Sequence, residues 1–333
     1  MPRTPHLLVA LLLAAAAGCA PAARTWSEQR VLMGTVFRIQ VHAPPSAQAR
    51  RAVAAALDEV ARVEALLSEW RETSEISALN RAAGRGPLRV GPELLEVLER
   101  AALASEATGG AFDVTFATCG GLWSFRDARV PSDDELATCL GHVGFRKIRV
   151  DRARSEVEIL DPATRIGLGG IGKGYGVDRA AAVLERAGVG NYVVDGGGDL
   201  RIRGRNGDRP WTVGLADPRR KGELAGRVEM EAGSIVTSGD YESYFERDGV
   251  RYHHILDPAT GRPARGSIAV TVVAPDATWA DALATGLFVM GPERAIPAAE
   301  ALPGVSVRIV SPDGAVHTSR GFPKVVAGNG TRI

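Results

Sequence analysis

The sequence predicts an α+β fold, in which mixed or antiparallel sheets with flanking helices form one bilobed unit. Near the N-terminus apolar residues first alternate with polar ones and then recur at three- and four-residue steps, so strand and helix patterns both occur. Beyond residue 147 short strand candidates outnumber helices, without an internal repeat or a linker longer than a turn. A mature chain of about 300 residues is large for one domain, so we expect two lobes.

The N-terminus has the pattern of a secretory signal peptide. Arg3 gives a short positive region, residues 7–17 form an apolar run, and small residues precede Cys19. The apolar run is about half the length that a membrane-spanning helix needs. The segment resembles a bacterial lipobox with Ala16 where leucine is usual, so we expect Cys19 to be lipidated and to become the mature N-terminus. A secreted protein cut nearby is the alternative.

These residues predict the organisation and location of the chain. We expect a signal peptide over residues 1–18, a tether over 19–27 and a folded domain over 28–333. Several acyl chains would anchor the protein stably. The predicted location is therefore the periplasmic side of a bacterial membrane, with a lipid anchor.

The folded domain begins with a predicted strand and two predicted helices. Residues 30–43, RVLMGTVFRIQVHA, alternate apolar and polar side chains as a half-buried strand does. From Ser46 to Trp70 the apolar spacing predicts an amphipathic helix. A second helix is predicted from Pro92, which suits a first turn, to Thr108, before two glycines.

Later segments are predicted from the same kinds of pattern. Two further helices are expected, over Asp178 to Ala187 and Ala280 to Met290. The remaining candidates are strands, namely KIRV, VEIL, NYVV, DLRIRG, WTVGL, GRVEME, SIVTSG, YHHIL, IAVTVVA and VSVRIV.

The charge balance excludes one class of partner. The 333 residues carry 40 basic and 39 acidic side chains, a formal net charge of +1. A surface for nucleic acid needs a stripe of Lys and Arg, which this sequence lacks. We therefore expect no nucleic-acid partner.

Two cysteines remain after Cys19 is assigned to the N-terminal motif. Export from the reducing cytosol would allow Cys119 and Cys139 to form a disulfide. Two free buried thiols are the alternative, and the sequence leaves both open.

The stretch GLGGIGKGYG, residues 167–176, contains two known nucleotide-binding patterns. Its glycines match G-x-G-x-x-G, and the run that ends at Lys173 matches the start of a P-loop. A P-loop needs Ser or Thr next, where Gly174 stands, and the chain around it lacks a parallel sheet of alternating strands and helices. Neither pattern applies, but small residues still let the main chain approach a phosphate or a metal. The N–H groups at the start of the following helix would suit an anion.

Six stretches of the sequence, in order, resemble the ApbE-type FAD:protein FMN transferases, a family of flavin transferases also called thiamine-biosynthesis lipoproteins. The resemblance covers nearly all of the mature chain and implies an ApbE-like, T-fold-related catalytic unit. The stretches are MGT (33–35), SEWRETSEISALN (68–80), GGAFDVT (109–115), GLGGIGKGYGVD (167–178), TSGDY with HHILDPATG (237–261) and ADALATGLFVMG (280–291).

The resemblance implies a magnesium site. Asp281 and Thr285 are four residues apart in a predicted helix, so they project from one face. By resemblance, these side chains and the main-chain carbonyl of Gly170 bind Mg²⁺, which completes its octahedron with water and phosphate oxygens. From the residues alone, a helix-terminal Asp and a core-facing Thr are the simpler interpretation. Some relatives carry a second aspartate where Ala284 stands.

The resemblance also assigns a flavin pocket. Trp70 stands where relatives place a tyrosine against the isoalloxazine ring, although a tryptophan that ends an amphipathic helix is otherwise a core residue. Lys173 is expected near the dinucleotide or, alternatively, as an exposed helix lysine. Many relatives have aspartate where Gly167 stands, so any contact of that side chain with FAD is expected to be lost. The other matching positions are Met33, Ala111, Phe112, Asp113 and Ile255; alone, Phe112 would be core and Asp113 a cap.

The segment RYHHILDPATG contains the expected proton-transfer group. A base poised near neutrality is best supplied by histidine. His254 matches the family's histidine, whereas His253 would point to the opposite face of a strand. A histidine satisfied within the structure is the alternative. Asp257 is expected to cap the following turn or to hold the histidine. The polar residues of TSGDY are expected to line the same cleft, namely Thr237, Ser238 and Asp240.

The function implied by the resemblance is Mg²⁺-dependent transfer of FMN from FAD, the substrate, to a Thr or Ser hydroxyl of another protein, with release of AMP. Expected acceptors are FMN-carrying proteins or domains of membrane redox complexes. In this hypothesis His254 or a nearby carboxylate deprotonates the acceptor hydroxyl. Two alternatives remain open: an FAD pyrophosphatase that gives FMN and AMP, and a flavin-binding lipoprotein without turnover, which Gly167 and Ala284 would favour.

Overall fold

The computed structural model describes residues 22–327, and this range contains eight α-helices and four sheets. The predicted signal peptide, Cys19 and the first residues of the predicted tether lie outside the described residues. Between residues 22 and 327 no helix is both long enough and apolar enough to cross a membrane.

The described range contains fifteen strands, eight of which follow one another without an intervening helix. They are β1 (Arg24–Leu32), β2 (Thr35–Ala43), β3 (Leu88–Arg89), β4 (Ile148–Asp151), β5 (Glu156–Ile159), β6 (Tyr192–Gly196), β7 (Leu200–Arg203), β8 (Trp211–Ala216), β9 (Leu224–Met230), β10 (Ala232–Gly239), β11 (Tyr244–Arg247), β12 (Val250–His253), β13 (Ala269–Ala274), β14 (Ser306–Val310) and β15 (Val316–Thr318).

The helices vary from one turn to six. They are α1 (Ala47–Leu67), α2 (Glu75–Arg81), α3 (Pro92–Ala107), α4 (Ala117–Gly120), α5 (Asp133–Leu140), α6 (Gly172–Arg186), α7 (Ala277–Met290) and α8 (Pro292–Glu300). Two short 3₁₀ turns lie at Val114–Phe116 and Phe145–Lys147.

The sheets are antiparallel throughout the described range, and the α+β class is confirmed. The largest sheet has eight strands in the spatial order β1-β2-β6-β7-β10-β13-β14-β15. A three-stranded sheet has the order β3-β5-β4, and β8-β9 and β11-β12 are separate hairpins. Consecutive strands that pair antiparallel need only short connections, which agrees with the close spacing of strand candidates in the sequence.

The large sheet is covered on both faces because its strands carry apolar residues on both sides. In β6, Val194 belongs to a cluster formed with α1 and α6, whereas its neighbour Val193 packs with the β8-β9 hairpin. In β10, the neighbours Ile235 and Val236 also face opposite sides of the sheet. Ile235 packs with the β8-β9 hairpin, and Val236 packs against α7. The sheet therefore supports α6 and α7 on one face, and these two helices carry much of the candidate site.

A second core lies among the shorter helices. It is formed by the C-terminal part of α1 with α2, α3, β5 and the segment that leads into α6. Leu94 of α3, Ile76 of α2 and Ile159 of β5 are buried there. Ser46 caps α1 by accepting a hydrogen bond from the main-chain nitrogen of Ala49 at 3.1 Å, a role for which serine is well suited.

Several boundaries differ from the sequence predictions. Residues 30–43 are not one strand but parts of β1 and β2, because Met33 and Gly34 adopt positive φ (50° and 73°) and form the turn of a hairpin. Strand β1 begins at Arg24, so the folded part takes in residues that we assigned to the tether. Helix α6 begins at Gly172 rather than Asp178, inside the glycine-rich segment.

Candidate active site

One cleft of about 600 Å³ gathers nearly all the predicted site residues. Its walls come from the β1-β2 turn, the segments that follow α1 and α3, the start of α6, the end of β10, the segment after β12, and α7. The predicted residues that line it are Met33, Ala111, Phe112, Asp113, Gly167, Gly170, Lys173, His254, Ile255, Asp281 and Thr285. Trp70 and Asp257 do not line it.

Helices α6 and α7 are held together at their starts, which places the residues of both in the cleft. The Asp178 carboxylate of α6 accepts hydrogen bonds from the main-chain nitrogens of Ala277 and Thr278 at 2.9 and 2.8 Å, satisfying N–H groups at the start of α7. A Cβ on Gly174 would lie 2.2 Å from the carbonyl oxygen of Ala277. Only glycine fits at this crossing, and this explains one glycine of the GKGYG stretch.

Asp281 and Thr285 lie beside the glycine-rich segment, as predicted. Asp281 is 3% exposed, and its Oδ2 accepts a hydrogen bond from the main-chain nitrogen of Gly174 at 3.0 Å. A Cβ on Gly170 would lie 3.3 Å from Thr285 Oγ1, so the main chain of Gly170 runs next to that hydroxyl. A carboxylate, a hydroxyl and a carbonyl are hard oxygen donors, and this set fits Mg²⁺ completed by water and phosphate. No cluster of three or more His, Cys, Asp or Glu side chains able to hold a metal occurs between residues 22 and 327.

Asp199 is a cleft residue that the sequence analysis missed. Lys173 Nζ donates a hydrogen bond to Asp199 Oδ2 and lies 3.5 Å from Asp281 Oδ1, so one ammonium is shared by two buried carboxylates. Lys173 is thus neither an exposed helix lysine nor a free cation. Asp199 follows the glycines at the end of β6. The segment DGGGD could have indicated it, because a glycine-rich turn after a buried strand is a common place for a polar functional side chain.

The electrostatics of this group favour a cation. Burial opposes the charge of Lys173, but the attraction of Asp199 and Asp281 outweighs it and raises the pKa of the lysine. Burial and the charge of Asp281 raise the pKa of Asp199 to about 7. Two carboxylates share one positive charge, so a divalent cation at Asp281 would stabilise both.

The two adjacent histidines have different environments. His253 ends β12 and is 2% exposed; its Nε2 donates to the carbonyl of Ala264 at 2.8 Å and its ring packs edge-on against Phe288. His254 faces the cleft, and its Nδ1 lies 3.3 Å from the carbonyl of Ser243. Since a carbonyl only accepts, Nδ1 carries the proton of the neutral ring and Nε2 has the free lone pair. His254 faces the cleft and His253 packs inside the protein, although β12 ends at His253, and the predicted role of His254 in proton transfer stays a prediction.

Both histidines are held neutral. Burial lowers the pKa of His253 to about 4. His254 is exposed toward the cleft, but partial desolvation by the cleft walls still lowers its pKa below the ordinary value of 6.5, with the charge of Lys173 acting in the same direction. At neutral pH His254 is therefore in the form that can accept a proton.

Two predicted carboxylates do not face the cleft. The Asp257 side chain accepts a hydrogen bond from the main-chain nitrogen of Ala259 at 2.9 Å, so it caps the turn and does not hold a histidine. Asp240 is buried and paired with both terminal nitrogens of Arg219, at 2.7 and 2.8 Å. Our assignment of Asp257 as a catalytic residue is thus wrong in this structure, and from TSGDY only Thr237, Ser238 and Gly239 line the cleft.

Apolar side chains of the cleft pack directly against glycines of the glycine-rich segment. A Cβ on Gly170 would lie 3.2 Å from the ring of Phe112, and one on Gly176 would lie 3.0 Å from Cε of Met33. Asp113 uses both carboxylate oxygens inside the protein, accepting from Thr115 and from the main-chain nitrogen of Phe145 at 2.8 Å. Asp113 therefore shapes the wall as a cap.

Trp70 differs most from its predicted placement. Helix α1 ends at Leu67, three residues earlier than predicted, and Trp70 lies in the following turn with 89% of its surface exposed. It is neither a core residue nor a lining residue. Its neighbour Glu69 lines the cleft instead, as do the aromatic rings of Trp123 and Phe125, which stack with centroids 6.1 Å apart. The sequence carried no spacing signal for these three.

A disulfide supports the wall that contains Trp123. Cys119 of α4 and Cys139 of α5 are joined, which decides between the two alternatives that the sequence left open. The residues on either side of Cys119, Ala117 and Gly120, line the cleft.

Comparisons with known proteins agree with this fold and cleft. A relative from Treponema pallidum, named FAD:protein FMN transferase, is 35% identical over 318 residues, covering 90% of this chain and 88% of its own. The solved ApbE protein from Thermotoga maritima has a TM-score of 0.82 at 35% identity and covers 90% of this chain and 98% of its own. The solved flavin transferase ApbE from Vibrio cholerae has a TM-score of 0.80 at 32% identity, with coverage of 90% and 98%.

The fold and the cleft are those of an enzyme with the architecture of these flavin transferases. The family model described as the ApbE family matches residues 33–309, and the chain belongs to that family. The resemblance predicted from the six stretches is confirmed.

Proposed function

We propose that this protein transfers FMN from FAD to a hydroxyl of an acceptor protein and releases AMP. The observation that carries the proposal is the placement of Asp281, Thr285, Lys173 and His254 on the walls of one cleft. The relatives that match most of the chain have names that describe this reaction.

Asp281, Thr285 and the carbonyl of Gly170 would hold Mg²⁺ in this proposal. When bound, Mg²⁺ supplies positive charge against the pyrophosphate and the leaving AMP. Lys173 adds a fixed positive charge, because Asp199 and Asp281 hold its ammonium in the cleft.

His254 would act as the general base. The acceptor oxygen attacks the phosphorus of the FMN half, the bond from that phosphorus to the oxygen of AMP breaks, and the hydroxyl proton passes to Nε2 of His254. The hydrogen bond from Nδ1 to Ser243 fixes the ring so that Nε2 is the nitrogen with the lone pair. A Thr or Ser hydroxyl fits this base, since it must lose its proton to become a nucleophile.

The apolar part of the cleft suits the isoalloxazine ring. Met33, Phe112, Trp123 and Phe125 lie on its walls, and aromatic faces stack well on a flat ring. Trp70 is exposed and lies outside the lining of the cleft, and its expected contact with the flavin stays a prediction.

Export and lipidation belong to the same proposal. The sequence pattern around Cys19 supports a lipid anchor on the periplasmic side of a membrane, where FMN-carrying subunits of redox complexes would be the acceptors. The Cys119–Cys139 disulfide supports an oxidising compartment. Mass spectrometry of the N-terminal peptide from membranes tests lipidation, which a Cys19→Ser variant should abolish.

One experiment separates transfer from its alternatives. The purified protein is incubated with FAD, Mg²⁺ and a candidate acceptor domain, and both AMP and the acceptor mass are followed. AMP together with an acceptor heavier by FMN less water is the expected result. AMP with free FMN and an unchanged acceptor would indicate hydrolysis, and no AMP with any acceptor would leave a flavin-binding protein.

A further inference from the structure

Glu69 is a carboxylate of the cleft that the proposed reaction does not use. It follows the end of α1, lines the cleft next to Gly167, and its Oε2 accepts a hydrogen bond from the main-chain nitrogen of Leu168 at 3.1 Å. Its main-chain carbonyl accepts a hydrogen bond from the Ser77 hydroxyl at 3.3 Å, which fixes the segment against α2. The side chain is therefore built into the wall.

The position of the carboxylate depends on the glycine beside it. A Cβ on Gly167 would lie 2.3 Å from Oε2 of Glu69 and 2.7 Å from Cβ of Ala117. A side chain at residue 167 and the carboxylate of Glu69 therefore exclude each other, and Gly167 leaves the space that Glu69 fills.

Glu69 has acceptor capacity that the protein does not use. A carboxylate offers about four lone-pair positions, and among residues 22–327 the one favourable partner acting on it is the N–H of Leu168. Burial raises the pKa of Glu69, and no cation offsets this cost. Donors from a ligand in the cleft would supply the missing hydrogen bonds.

The glycine-rich segment separates Glu69 from the charged group around Lys173. Glu69 adjoins Gly167 at one end of the segment, and Lys173 and Asp281 lie at the other end. A carboxylate repels a pyrophosphate, and Asp199 and Asp281 already share the one positive charge of Lys173, so a pyrophosphate would bind at that end together with the divalent cation proposed there. No positively charged side chain of the described residues offsets the charge of Glu69, so its end of the segment suits an uncharged donor.

On the basis of the proposed function, we infer that Glu69 is a binding residue that accepts a hydrogen bond from an uncharged N–H or O–H donor of FAD and so orients the dinucleotide along the glycine-rich segment. Two parts of FAD carry such donors. The FMN half has the imide N–H and the ribityl hydroxyls, and the AMP half has the adenine amino group and the ribose hydroxyls.

The test compares binding of FAD, FMN and AMP to the full chain and to Glu69→Gln, by titration calorimetry. Glutamine keeps the shape and an oxygen for Leu168 but removes the charge. We expect FAD to bind about tenfold more weakly to the variant. If the donor belongs to the flavin half, the affinity of the variant for FMN should fall as well. If the donor belongs to the adenosine half, its affinity for AMP should fall instead. Unchanged affinity for all three ligands would overturn the inference, while failure of the unaltered protein to bind FAD would refute the proposed function instead.

A reciprocal exchange guards against a merely structural effect. Glu69→Ala should bind FAD at least tenfold more weakly, and Gly167→Asp alone should clash with Glu69. Because a Cβ at residue 167 would also lie 2.7 Å from Cβ of Ala117, the rescue needs Ala117→Gly in the background. The triple variant Glu69→Ala, Ala117→Gly and Gly167→Asp places a carboxylate in the same space from the other segment, so it should recover most of the FAD affinity that the double variant Glu69→Ala with Ala117→Gly lacks. A triple variant that folds, shown by an unchanged circular dichroism spectrum, yet binds no better than that double variant would contradict the assignment.

Discussion

Two regions of the cleft are built in different ways. In the helix-crossing region (Gly170, Lys173, Asp199, Asp281 and Thr285), α6 and α7 meet at Gly174 and the charged groups hold one another. In the loop region (Glu69, Ala117, Trp123 and Phe125), the side chains come from the short helix α4 and from the segments that follow α1 and α4, and a disulfide joins α4 to α5. The comparison teaches that Lys173, Asp281 and Thr285 stand on two packed helices, α6 and α7, whereas Trp123 and Phe125 stand on a segment that follows the disulfide-linked helix α4.

The largest effect is expected in the helix-crossing region. Asp281→Asn removes the only carboxylate of the proposed metal site, so transfer should fall about thousandfold, or about 4 kcal/mol of transition-state stabilisation, even in saturating Mg²⁺. The initial rate of AMP release measures this.

A matched control for Asp281 lies on the same helix. Asp276 caps α7 through the main-chain nitrogen of Trp279 at 2.8 Å, and asparagine caps almost as well, so Asp276→Asn should keep the activity within a few-fold. Equal losses in the two variants would show that the helix, and not the metal site, had been damaged.

In the loop region, we expect loss of the disulfide to lower the stability of the protein. Replacing both Cys119 and Cys139 with serine removes a crosslink between residues 20 apart in sequence, which should lower the free energy of unfolding by about 3 kcal/mol. Urea unfolding under oxidising conditions measures the change, and a reducing agent should destabilise the unaltered protein but not the variant. A stability unaffected by the double substitution would mean that packing alone holds this region.

His254 lies outside both regions, on the segment after β12, and its replacement should reduce the rate. His254→Gln removes the proposed base, so kcat should fall about a hundredfold, or about 2.7 kcal/mol. In the unaltered protein the rate should drop as the pH falls through the lowered pKa of His254, below 6.5, because the ring is then protonated. The variant should lose this acid limb; an unchanged limb would assign the base to another group.

His253 should affect stability and not catalysis. Its pKa is about 4 in the folded protein and near 6.5 when unfolded, so the unfolded chain binds the extra proton between these values and stability falls as pH drops. The expected loss from this residue is about 2 kcal/mol between pH 7.5 and pH 5. Denaturant unfolding of His253→Gln at both pH values should show a smaller pH dependence than the unaltered protein, and an equal dependence would contradict the assignment.

Much of the fold could be predicted because its signals are local. The stripe of α1, the proline that starts α3 and the alternation in the strands all depend on residues near in sequence. The start of α6 was missed because glycines disfavour a helix, whereas here the contacts with α7 at Gly174 outweigh that preference. The hairpin turn at Met33 was missed because a methionine at positive φ has no sequence signature.

The site residues also separate into those with a local sequence signal and those without one. Residues in recognisable stretches, such as Asp281 and His254, were placed correctly in the cleft. Glu69 reaches the cleft only through packing between distant segments, which no spacing reveals, whereas the DGGGD turn that carries Asp199 was a local signal that we did not use. Many relatives have an aspartate where this chain has Gly167, so we expected no carboxylate at that place in the cleft. The Glu69 carboxylate fills the space beside Gly167, and only the three-dimensional contact shows this.

The most direct test of the central claim is to locate the metal. Crystals grown with Mn²⁺ in place of Mg²⁺ and with FAD should give an anomalous peak about 2.1 Å from an Asp281 carboxylate oxygen, Thr285 Oγ1 and the carbonyl oxygen of Gly170. A peak at this position that is absent from Asp281→Asn crystals is the predicted result. A peak elsewhere in the cleft, with these three oxygens unliganded, would contradict the account.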